Sequence, residues 1–208
     1  MTISHSSFVN IYNKDTNLFS DLFSSKTLTE LTRKIVQVSK RYSELGYTDG
    51  DKLKGDLFEI FAECFFKILS ADNRVGVYGY EPGPPTEDYG VDGVGLGMDG
   101  NPCTIQVKFR SNQAEELTIK DLKNFQGISY RKYGVPVDTN QNLILFTNAK
   151  GLHWITEANV LSGATRTIGG DQISKLVDGN TIFWKIVNDI VNNTMNYYYT
   201  KDVVVSGT

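Results

Sequence analysis

Residues 88–110 read DYGVDGVGLGMDGNPCTIQVKFR. Gly90–Gly97 and Pro102–Arg110 are expected as two β-strands joined around Met98-Asp99-Gly100. A three-residue loop of this kind suits a type I turn followed by a left-handed residue, the position Gly100 takes. Counting back from the loop, Gly97 faces Asn101 and Asp92 faces Gln106. Facing residues share a sheet face. Alternation along the second strand puts Ile105, Val107 and Phe109 on one side and Thr104, Gln106, Lys108 and Arg110 on the other. Asp92, Gln106 and Lys108 are therefore expected on one polar patch. An acid, an amide oxygen and an ammonium in one place suit phosphodiester hydrolysis. The acid can hold a hard divalent cation such as Mg2+. The cation polarises a phosphoryl oxygen and helps generate hydroxide from water. The lysine can orient that water or offset charge developing at phosphorus.

Working outward, Thr27 to Leu45 has helical periodicity, with Leu28, Leu31, Ile35, Val38, Tyr42 and Leu45 spaced by three or four. Thr27 and Glu30 form a capping-box pattern, and Gly46 ends the helix. A second helix is expected from Asp51 to Leu69. Its core, LFEIFAECFFKIL, is apolar almost all round, so it should be buried on most faces. It nevertheless carries Glu59 and Glu63, one turn apart, and a buried carboxylate needs compensation. A metal shell completed by one of them would supply it; pairing with a base is the other option for Glu63.

Val75–Tyr80 is strand-like, and Pro82-Gly83-Pro84-Pro85 makes a loop. Residues 118–133 read as a helix ending at Gly134. Asn142–Thr147 reads as a buried strand, Trp154–Leu161 as a short helix and Ala164–Ile168 as a last strand. Gly170–Leu176 and Thr181–Met195 read as closing helices. Residues 1–26 read as a loose polar arm with a short helix near Leu18–Phe23. The tail after Met195 reads as polar, with Val203-Val204-Val205 as a severed strand of a longer protein. This order fits an α/β sandwich with a central mixed sheet flanked by helices. One domain is expected over 1–208: a helical arm at 1–45, a core at 50–168, and C-terminal helices and tail at 170–208.

The 208 residues, 40% hydrophobic and 22% charged, have ordinary globular composition, which excludes a disordered tail, a collagen or a coiled coil. There is no apolar run of 18 or more residues and no signal-peptide pattern, so no membrane partner is expected. Two cysteines cannot staple a chain this long, which points to a reduced, cytoplasmic setting. The formal charge of −3 argues at first against a nucleic-acid partner. Its distribution argues otherwise. Residues 75–107 contain no Lys or Arg but five acids: Glu81, Glu87, Asp88, Asp92 and Asp99. Residues 1–74 balance, and residues 108–208 carry 11 basic and 9 acidic side chains.

Gly55-x-x-Phe58-Glu59, then Asp88-Tyr-Gly-Val-Asp92-Gly-Val, then Gln106-Val107-Lys108 together resemble the Mrr-like branch of the PD-(D/E)XK nucleases. That superfamily has a restriction-endonuclease-like fold. The resemblance spans residues 55–110 and extends more weakly to about 160. It implies a Mg2+-dependent DNA endonuclease, with Mn2+ as a substitute metal. Asp92 matches the metal-coordinating acid, and Gln106 the position usually held by a second acid. Lys108 matches the catalytic lysine, and Glu59 the helix glutamate that binds metal directly or through water. The backbone carbonyl of Val107 matches a further metal ligand. The motif's proline is replaced by Val91. Implied forms are a restriction enzyme, the nuclease module of a larger restriction or DNA-processing protein, and a junction-resolving enzyme. Cutting two strands calls for paired sites, which a homodimer provides. A degenerate fold that binds nucleic acid without cutting is the rival, supported by the amide at 106.

Arg110, Lys120, Lys123, Arg131 and Lys132 lie around these motifs and could follow a phosphate backbone; an ordinary solvated helix face is the alternative. Gly95-x-Gly97-x-x-Gly100 has dinucleotide-site spacing, but a hairpin rather than a helix follows it. With only His5 and His153, a zinc site is not expected. Asp99-Gly100 is a turn, and Asp88 is taken as a loop acid.

Overall fold

The computed structural model describes residues 1–47, 49–84, 90–118, 122, 124–137, 141–153 and 165–206, the last six by backbone alone. Helices α1 (Ser7–Lys14), α2 (Leu18–Phe23), α3 (Leu28–Glu44) and α4 (Gly50–Ile68) precede strand β1 (Val77–Pro82). Strands β2 (Gly93–Gly97), β3 (Pro102–Lys108) and β4 (Glu116–Leu117) follow. Then come α5 (Phe125–Tyr133), β5 (Leu143–Thr147), β6 (Gly151–Leu152), β7 (Thr165–Ile168), α6 (Gly170–Val177) and α7 (Thr181–Ser206).

The main sheet has the order β1-β2-β3-β5-β7. Pairing is antiparallel from β1 to β3 and parallel from β3 to β7, so the sheet is mixed as expected. The expected β2–β3 loop is present. Gly97 N–H donates to Asn101 O at 2.9 Å, and Gly100 has φ of 77°, a left-handed conformation that favours glycine. Asp99 closes the turn by accepting from Asn101 N and Asn101 Nδ2, and these bonds hold its carboxyl below the usual range.

The two sheet faces have different partners. Ile105, Val107, Ile144 and Phe146 face α4 and belong to the main core. Phe146 is its hub, with ring centroids 5.4 Å from Phe58, 5.0 Å from Phe65 and 5.1 Å from Phe66. On the opposite face Thr104 Oγ1 meets Ser129 Oγ of α5 at 2.7 Å, and Val91, Phe125, Val135 and Leu143 form a smaller cluster. Gln106 lies beside Leu145 on this α5 face.

Three expectations are corrected, and one element is new. Residues 1–26 are not a loose arm: Ile3, Phe8, Phe19, Leu22 and Phe23 are buried in the main core, and Asn188 Nδ2 of α7 donates to Phe23 O at 2.8 Å. The α5 helix starts at Phe125 rather than 118, because Asn124 takes a left-handed φ of 75° that a helix cannot contain. The chain after Met195 continues α7 to Ser206, so Val203-Val204-Val205 is helical rather than strand. A second small sheet, β4 paired with β6, lies outside the sequence expectation. The helix expected at Trp154–Leu161 falls outside the described residues.

Candidate active site

α4 is capped by Asp49, whose side chain accepts from Asp51 N and Lys52 N. Its apolar faces fix its rotation over the sheet, and one remaining face carries Asp56, Glu59 and Glu63. Asp56 and Glu59 open onto a cleft of about 460 Å³. The cleft is also lined by His5 and Ser7 at the start of α1, by Gly83 after β1, and by Asp92.

Asp92 reaches this cleft through a local irregularity. Gly93 pairs with Ile105, and the N–H of Asp92 donates to the O of that same Ile105 at 2.9 Å. Two residues thus stand opposite one, a β-bulge that re-aims the side chain at the strand's start. The expected pairing of Asp92 with Gln106 is not formed. Instead Asp92 Oδ2 accepts the N–H of Val107 at 2.7 Å. Tyr80 stacks on Phe66 beneath this corner, 5.0 Å between centroids, and its hydroxyl approaches Asp92 O. Burial, with Glu63, Asp92 and Glu59 nearby, pushes the Tyr80 phenol well above its ordinary pKa, so it stays protonated.

Glu59 Oε2 is 2.8 Å from His5 Nε2. Burial opposes a charge on His5, but the hydrogen bond and charge of Glu59, helped by Asp56 and Glu63, lift its pKa above the usual value. Glu63 is 1% exposed and takes the second option open to it. Its Oε1 meets Lys67 Nζ at 2.6 Å, and it accepts Ser4 N at 2.6 Å and His5 N at 3.0 Å.

The cleft therefore brings together Glu59 and Asp92, with Val107 tied through its backbone. Gln106 and Lys108 are not among its lining residues. Gln106 is 1% exposed, and its Oε1 has no hydrogen-bond partner among the described residues. Lys108 is half-buried at the end of β3, across from Thr147. Arg110 approaches Glu115 at 3.6 Å and donates its N–H to Asn148 Oδ1. Arg131 folds back onto Gly127 O, and Lys132 lies over the Tyr133 ring. Lys120 and Lys123 are outside the described residues.

Sequence reasoning missed His5 and Asp56. Asp56, Glu59 and Glu63 fall at i, i+3 and i+7, a spacing that was legible. His5 offered only the apolar residues Ile3 and Phe8 around it as a sign of burial.

Among the described residues no group of three or more His, Cys, Asp and Glu side chains is placed to hold a metal ion. Mg2+ does not require one: it keeps several waters and binds through one or two carboxylates. Glu59 and Asp92, both oxygen donors on one polar cleft, fit that demand. No family model matches the sequence, and no curated protein matches it. Among the described residues, no helix is long and apolar enough to cross a membrane.

Proposed function

We propose that the chain is a Mg2+-dependent DNA endonuclease domain on a restriction-endonuclease-like fold, of the Mrr-like type that residues 55–110 resemble. One observation carries the proposal: three separate motif segments converge. Glu59 of α4 and Asp92 at the β2 bulge line one cleft. The Asp92 carboxylate accepts the N–H of Val107, the centre of Gln106-Val107-Lys108. The mixed sheet with α4 across one face is compatible with that fold.

On this reading Asp92 and Glu59 hold the metal, and the Val107 N–H fixes the rotation of the Asp92 carboxylate. A bound divalent cation would polarise the phosphoryl oxygen and acidify water. The water oxygen attacks phosphorus in line as the bond to the 3′-oxygen breaks; the water loses a proton to solvent and the 3′-oxygen takes one up, leaving a 5′-phosphate and a 3′-hydroxyl. Lys108 is assigned the charge developing at phosphorus; its reach into the cleft is part of the proposal. A restriction enzyme or the nuclease module of a larger restriction protein is the form favoured, in a cytoplasmic setting, with a homodimer supplying paired sites. The Val107 carbonyl is the remaining proposed metal contact; Gln106, which the cleft does not include, is assigned to the site by the motif match alone.

A specific observation favours a second reading. The Gln106 amide is buried outside the cleft, and an amide there lacks the charge of a second acid. A catalytically degenerate module that binds DNA without cutting accommodates this. The two are separated by a screen of linear, methylated and branched DNA with Mg2+ and with EDTA. The proposal expects cleavage with Mg2+ alone, leaving 5′-phosphate ends. Preference for branched DNA would assign the junction-resolving form. Binding with no cleavage of any form would establish the second reading.

A further inference from the structure

His5 stands in the cleft on a polar scaffold that has no other evident task. Burying a carboxylate as fully as Glu63 requires compensation at every lone pair. Glu63 obtains it from Lys67 and from two consecutive backbone N–H groups, those of Ser4 and His5. Lys67 Nζ also reaches Thr2 O and Ser4 Oγ. On one side of this clamp the N–H of Ile3 donates to Thr194 Oγ1 of α7 at 2.8 Å, and Ile3 is buried. On the other side Phe8 is buried and stacks on Phe19, 4.5 Å between centroids. Residues 3–8 are thus tied to α4, α7 and α2 at once. The segment is a fixed wall of the cleft rather than a strap laid across it.

The side chain this wall presents is also oriented. Ser7 N–H lies 3.3 Å from His5 Nδ1, so in the neutral ring Nδ1 accepts and the proton sits on Nε2. Nε2 then donates to Glu59 Oε2 at 2.8 Å. One carboxylate oxygen is held, and Oε1 has no hydrogen-bond partner among the described residues. A hydrogen-bond donor behind a metal-binding carboxylate fixes its orientation, and loss of such outer partners commonly weakens metal binding.

We propose that His5 is the positioning residue of Glu59, holding one carboxylate oxygen so that the other meets a divalent cation in the cleft. This rests on the metal-dependent reading above. The group acts through Glu59.

The test is Mn2+ binding, followed by the EPR signal of free Mn2+, to the full chain and to His5→Ala, His5→Gln, Glu59→Gln and Asp92→Ala. Thermal melting is measured on each. A glutamine amide can donate from nearly the place of Nε2. His5→Ala is expected to weaken Mn2+ binding roughly 10- to 100-fold. His5→Gln should keep most of the affinity, and Glu59→Gln should lose it. Wild-type affinity in His5→Ala would overturn the positioning role while leaving the metal reading intact. Equal loss in a folded His5→Gln would overturn the hydrogen-bond role. No Mn2+ binding by the wild-type chain, or binding unchanged in Glu59→Gln and Asp92→Ala, would overturn both. Should His5→Ala fail to fold, His5→Gln decides.

Discussion

At the residue scale, Gln106 separates stability from function. Among the described residues its Oε1 is buried without a partner, an arrangement that desolvates a carbonyl oxygen for no return in hydrogen bonding. Replacing such a group by an apolar one of similar shape is neutral or stabilising. Gln106→Met is therefore expected to leave the urea midpoint unchanged or raise stability by about 1 kcal/mol. Under the nuclease proposal the same variant loses cleavage. A marked loss of stability would mean that Gln106 has a structural partner, and retained cleavage would remove it from the site. The sequence made Gln106 legible as a candidate because it alternates with apolar residues on a strand. It did not show that this face turns toward α5, because alternation assigns faces without saying what covers them.

The β2–β3 hairpin shows at the element scale how far local chemistry reaches. The loop, its left-handed Gly100 and the pairing of Gly97 with Asn101 all followed from residue types at fixed offsets. The bulge at Asp92 did not, since it depends on the Tyr80 ring packed beneath the next residue. A Cβ at Gly93 would run into that ring. Gly93 is thus a close-approach glycine, and its place directly after Asp92 is what lets the chain pass over Tyr80. Gly93→Ala is expected to destabilise by about 1–3 kcal/mol through overpacking, read as a lower denaturation midpoint. It should also displace the Asp92 carboxylate from Val107. An unchanged midpoint would contradict the packing at this corner. The helices illustrate the same limit. Thr27 caps α3 through the N–H of Glu30 as expected, because a cap is local. The start of α5 shifted to Phe125 because the left-handed Asn124 interrupts an otherwise helical pattern.

Across the whole molecule, the polar first residues gave little sign of their role. Their burial arises largely from contacts with α4 and α7, both distant in sequence, so no window of local pattern contains it. The mixed sheet was legible because one antiparallel hairpin preceded strands separated by long connections. Charge is a property of this scale too. The net −3 is concentrated in residues 75–107, where Asp92 lines the cleft and Asp99 closes a turn. A cation bound at Glu59 and Asp92 would offset part of that deficit. Binding of a short DNA duplex, measured by fluorescence anisotropy, is thus expected to be weak and strongly salt-dependent without metal. It should tighten with Ca2+, which occupies oxygen sites of this kind. Tight, salt-insensitive binding without metal would count against this electrostatic account.

The central claim is that Glu59 and Asp92 form a metal-dependent phosphodiester-cleaving site. Plasmid nicking in Mg2+, compared for the wild-type chain, Asp92→Ala and Lys108→Ala at equal folded concentration, tests it most directly. The account predicts wild-type cleavage that EDTA abolishes, and a loss of at least about 100-fold in each variant, the scale of a removed charge-stabilising group. Wild-type rates in Asp92→Ala would contradict it.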